Sequence, residues 1–129
     1  MTVAALYDIH GNLPALAAVL EDVARAGADR VVLGGDVLPG PMPRETLIRL
    51  LELDVPFQFI VGNGELAVLA EMNGQNSGVP ARYRDSIRWN ACTASPVGWR
   101  IASRMADYPA YEHERNRQGS LLSRYAAKS

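Results

Sequence analysis

The sequence predicts an α/β fold, a parallel β-sheet built from βαβαβα units and flanked by helices. Three observations carry this prediction. Three short runs, Thr2 to Tyr7, Arg30 to Leu33 and Phe57 to Val61, are almost continuously apolar instead of alternating, the pattern of parallel strands buried on both faces. Segments with helical spacing of apolar residues separate them. Each run also leads into a short polar motif: Asp8-Ile9-His10-Gly11-Asn12, Gly34-Gly35-Asp36 and Gly62-Asn63-Gly64-Glu65. Loops at the carboxyl ends of parallel strands are where α/β proteins gather their functional groups.

After the first strand, Leu13, Leu16, Ala17, Leu20, Val23 and Ala24 recur at three- and four-residue spacing. Asn12 is an N-cap candidate for this helix and Gly27 its C-terminal stop. After the second strand, Pro39-Gly40-Pro41-Met42-Pro43 predicts a stiff loop, and Leu47, Ile48, Leu50 and Leu51 mark a helix that ends before Pro56. Pro43 suits the first turn, where its missing N–H costs nothing. The third strand is followed by a helix from about Glu65 to Met72, with Leu66, Val68, Leu69 and Met72 apolar. Asn73 to Pro80 reads as a surface loop. Two further helices are expected, one through Ile87 and Ala91, the other entered at Ser95-Pro96 with Val97, Ile101 and Met105 on one side. Right-handed crossovers would bring Asp8, Asp36 and Asn63 to one edge of the sheet. Residues 1–108 are expected to form the domain, and 109–129 a polar, flexible tail.

Composition sets limits on function. The chain has 129 residues, 48% hydrophobic and 21% charged, with a formal net charge of −1, which fits one globular domain. Near-neutral charge argues against strong attraction to nucleic acid or anionic lipid. The late arginines, Arg82, Arg84, Arg88, Arg100, Arg104, Arg115 and Arg117, have no interleaved aromatic ladder and read as a solvated helix face. Cys92 is the single cysteine, so no intrachain disulfide forms and a cytoplasmic location is expected, with the thiol packed as a small hydrophobe. The N-terminus lacks the charged and apolar regions of a signal peptide. No apolar run approaches the roughly 20 residues that a bilayer helix needs.

The three motifs, in this order and each following a predicted strand, resemble the calcineurin-like metallophosphoesterase family, in particular its bacterial Asp-x-His-Gly-Asn branch. Between His10 and Asp36 lie 25 residues, and between Asp36 and Asn63 lie 26. The resemblance covers roughly residues 3 to 106. It implies the first half of a four-layer αββα sandwich, with Asp8 and His10 holding one metal, Asp36 bridging two, and Asn63 holding the second. Two divalent ions such as Mn²⁺, Zn²⁺ or Fe, about 3.5 to 4 Å apart, would bind phosphate and supply the hydroxide that attacks phosphorus in line. Asn12, Asn63 and Gly64 are the phosphate-binding candidates.

Two departures qualify this expectation. Family members continue into a second sheet that supplies a histidine and then a Gly-His-x-His segment. Neither has a counterpart here, and the remaining histidine, His113, lies in a charged stretch. Gly64 stands where many relatives carry a histidine that positions phosphate or protonates the leaving group. Loss of a general acid costs about 10²- to 10⁴-fold, which favours a phosphodiester or activated ester over an unactivated monoester. The expected function is therefore a truncated phosphoesterase acting on a small-molecule phosphate ester. A non-catalytic remnant that binds a partner or its own copy through an uncovered sheet face is the first alternative. A phosphate or nucleotide module using Asn12 and the first helix N-terminus is the second.

Overall fold

The computed structural model describes residues 1–105. The proposed division at residue 108, the tail 109–129 and His113 lie outside the described residues. The elements run β1 (Val3–Leu6), α1 (Leu13–Arg25), β2 (Arg30–Leu33), α2 (Pro43–Leu51), β3 (Phe57–Phe59), α3 (Asn63–Met72) and α4 (Ala81–Met105). This is an α/β fold with a three-stranded parallel sheet in the order β1-β2-β3.

Local chemistry explains the helix boundaries. Asn12 caps α1, its Oδ1 accepting the Ala15 N–H at 3.1 Å, and Pro14 lies in the first turn. Arg25 occupies the last turn, and Gly27 follows with a φ of 63°. Pro43 begins α2, as its fixed φ favours. Helix α3 starts at Asn63, two residues before its expected start, because Glu65 reaches back to the Gly62 N–H at 2.8 Å and closes the first turn.

Register decides what the sheet buries. Ala4 and Leu6 pair with Val31 and Leu33, which pair in turn with Phe57 and Phe59. These six share one face and pack into a single core with Leu16 and Leu20 of α1, Leu47 and Leu50 of α2, and Val68 of α3. The opposite face is not buried by any described residue: Val3 is 47% exposed, Ala5 and Gln58 are exposed, and Ile60, just beyond β3, is 39% exposed. Continuous apolarity in the strands thus misreports burial, since only the alternate residues face the core.

The late region also differs from expectation. One 25-residue helix, α4, replaces the two helices expected around Ile87 and after Ser95-Pro96. Ile87, Ala91, Ala94 and Val97 form one buried stripe across that junction, and this packing offsets the lost hydrogen bond and the ring clash that an internal proline brings. Helix α4 packs on α2 and α3, on the side of the sheet already covered. Cys92 is exposed, contrary to the expected packing, because it falls one residue past Ala91 on the outer side of this stripe. Among the described residues, no helix is long and apolar enough to cross a membrane.

Candidate metal centre

Beyond the strand ends, the chain segments after β1 and β2 stay zipped together. The Gly34 N–H donates to the Leu6 carbonyl at 2.7 Å, His10 N–H to Asp36 at 2.9 Å, and Gly11 N–H to Val37 at 2.8 Å. Within this extension the backbone turns left-handed at Asp8 (φ 52°), His10 (φ 46°) and Asp36 (φ 52°). These are the only non-glycine residues with positive φ among the described residues. Such conformations cost roughly 1–3 kcal/mol each and concentrate where surrounding structure imposes them for function. Their effect here is convergence: one ligand atom from each of Asp8, His10 and Asp36 lies within 4.8 Å of the others. Asp8 and His10 are exposed and Asp36 is half-buried, so the cluster opens to solvent.

The histidine is oriented by its neighbour. His10 Nδ1 lies 3.1 Å from the Pro39 carbonyl oxygen. A carbonyl can only accept, so the bond requires the proton on Nδ1 and leaves the Nε2 lone pair free in the neutral ring. Nε2 faces Asp8 Oδ1 at 4.0 Å. Two electron-pair donors facing each other over that distance form a donor set suited to a small divalent cation.

Asp36 lies at the N-terminus of α3, where Gly64 N–H donates to its Oδ1 at 2.9 Å and the helix dipole favours its charge. Asn63 lies across the same carboxylate. With its amide nitrogen turned inward it donates to both Asp36 oxygens at 3.2 Å. Rotating the amide puts its oxygen there instead, so Asn63 is a clamp in one orientation and an oxygen donor in the other. Asn12 does not join the cluster through its Oδ1, which caps α1.

Gly64 is a packing requirement in this structure. A Cβ there would run into the Leu38 carbonyl and come within 2.9 Å of Asp36 Oδ1 and 3.0 Å of Pro39 Cδ. The loop after Asp36 fills the space that a side chain at position 64 would need.

Sequence reasoning gave no role to Glu65, which holds the loops in place. It is 7% exposed, and its Oε1 accepts from Leu38 N–H at 2.8 Å. Its Oε2 accepts from Asp36 N–H at 2.9 Å and Gly62 N–H at 2.8 Å. One carboxylate therefore staples the Asp36 loop to the Asn63 loop. Burial pushes the Glu65 carboxyl above its ordinary value of 4.5, opposed by the three N–H bonds. Since the folded value exceeds the unfolded one, this group's contribution to stability falls as pH rises through the interval above 4.5. The available signal was its place three residues after Gly62, where an acidic side chain reaches back to the helix start.

No protein-family model matches the chain, and neither does any curated protein.

Proposed function

We propose that this chain holds divalent cations, Mn²⁺, Zn²⁺ or Fe, between its three loops and hydrolyses phosphate esters, with phosphodiesters or activated esters favoured. The observation that carries the reading is the placement of left-handed backbone at Asp8, His10 and Asp36 alone among non-glycine described residues, with their ligand atoms drawn within 4.8 Å. A divalent cation bound by Asp36 and its neighbours would polarise a phosphoryl oxygen and lower the pKa of water. Asp8, His10, Asp36 and Asn63 would bind, and Asn63 and Gly64 would face phosphate at the N-terminus of α3. The accompanying fold reading is the first half of the four-layer αββα metallophosphoesterase sandwich.

Hydrolysis of bis(p-nitrophenyl) phosphate by the purified chain tests this reading. Turnover is expected to depend on added Mn²⁺ and to fall at least about 10²-fold in Asp36→Asn, the upper end of what losing even an outer-shell partner costs. Asparagine keeps an oxygen for the Gly64 N–H, so the variant should stay folded. Equal rates in the two proteins would refute the phosphoesterase reading. The uncovered sheet face, with Val3 and Ile60 exposed, favours a second reading as a self-association module. Concentration-dependent dimerisation without turnover would select it.

A further inference from the structure

Among the described residues, helix α4 meets the loops of the candidate centre through a polar side chain at Asn90. Asn90 is 1% exposed, on the same stripe as Ile87, Ala91 and Ala94. Its Nδ2 donates to the Ser86 carbonyl at 3.0 Å, and its Oδ1 accepts the Gly40 N–H at 2.9 Å. Both halves of the amide have partners, which fixes its orientation.

The Gly40 N–H belongs to the same planar peptide as the Pro39 carbonyl. That carbonyl is the acceptor for His10 Nδ1 at 3.1 Å. One peptide unit is thus held from both sides: Asn90 takes its N–H, and His10 donates to its C=O. Rotation of the unit would break both bonds. Gly40 also has little room, since a Cβ there would run into the His10 carbonyl and the Gly11 nitrogen. Charge flow through the peptide makes its carbonyl a stronger acceptor when its N–H is engaged.

We propose that Asn90 is a positioning residue. Through the Pro39–Gly40 peptide it holds His10 in the Nδ1–H tautomer and keeps the Nε2 lone pair directed at the cluster. The use of that lone pair for a cation rests on the reading above; the tautomer does not.

The test uses the metal-free full chain at about pH 8.5, two units above the ordinary histidine value. Long-range ¹H–¹⁵N correlation spectra of the imidazoles, with His10→Gln used to assign signals against His113, report the tautomer. In wild type His10 should carry its proton on Nδ1, and the Gly40 amide should be protected from exchange. In Asn90→Ala the proton should shift toward Nε2 and the Gly40 amide should exchange freely. Asn90→Ser is the second variant, read the same way if Asn90→Ala does not give native circular dichroism. Apparent Mn²⁺ affinity should weaken about 10- to 100-fold in the folded variant, as for other residues that orient a ligating histidine.

A wild-type His10 protonated on Nε2, or an unprotected Gly40 amide, overturns the proposal without any variant. A folded variant with lowered stability but an unchanged tautomer assigns Asn90 a purely structural role and overturns it too. If the tautomer shifts as expected while wild type binds no Mn²⁺, the positioning role stands and the cation reading falls.

Discussion

Glu65→Ala should lower the unfolding free energy by about 3 kcal/mol or more, since a buried donor left without a partner costs about 1–3 kcal/mol and three donors, one buried and two part-buried, lose theirs at once. Those donors are the N–H groups of Asp36, Leu38 and Gly62. Total stability for a domain of this size is about 5–15 kcal/mol, so the variant should be near its folding limit. Glu65→Gln separates the bonds from the charge. Its amide oxygen can accept the two N–H groups now shared by Oε2, but its NH₂ then confronts the Leu38 N–H, donor against donor. An intermediate loss of about 1–3 kcal/mol is expected from that single mismatch. Chemical denaturation of the three proteins checks the order. Glu65→Ala within 0.5 kcal/mol of wild type, about the range of ordinary surface changes, would show that the staple contributes little.

The second large effect is expected at Gly40. A Cβ there would collide with the His10 carbonyl and Gly11 nitrogen, all backbone atoms that cannot rotate aside. Either the Pro39–Gly40–Pro41 loop withdraws or the His10 turn opens. Withdrawal breaks the bond to Asn90 and the bond to His10 together. Gly40→Ala should therefore cost about 2–3 kcal/mol, the upper part of the overpacking range, because the neighbours are main chain. It should also impair the cluster, unlike Gly74→Ala, where no atom lies within 4 Å of the added carbon. Gly74 still has a φ of 69°, so the control carries a backbone cost of its own of about 1 kcal/mol or more, and the comparison rests on the larger loss at Gly40. Thermal unfolding of the two alanine variants side by side makes the comparison. Similar losses in both would mean that the loop yields freely.

Much of this arrangement is legible in the chain. The three strands and the first two helices follow from apolar runs, Asn12, Gly27 and Pro43, since strand and helix periods and capping chemistry are local. The convergence of Asp8, His10 and Asp36 follows from parallel strands that end together. What was not legible depends on partners distant in sequence. Asn90 is 50 residues from Gly40, and only its position as a polar group on an apolar helix stripe hints at a role. The continuity of α4 past Ser95-Pro96 is set by packing on α2 and α3, which overrides the local proline signal. The reading of Gly64 as a missing histidine considered side-chain chemistry alone, whereas the Leu38 carbonyl decides what fits there. Continuous apolarity predicted strands buried on both faces, but the described elements cover one.

Calorimetric titration of Mn²⁺ into the wild-type chain, with Asp36→Asn in parallel, is the most direct test of the central claim. The account predicts saturable binding to wild type and at least about 10²-fold weaker binding to the variant. The absence of saturable binding to folded wild type, or equal affinity in both proteins, would contradict it.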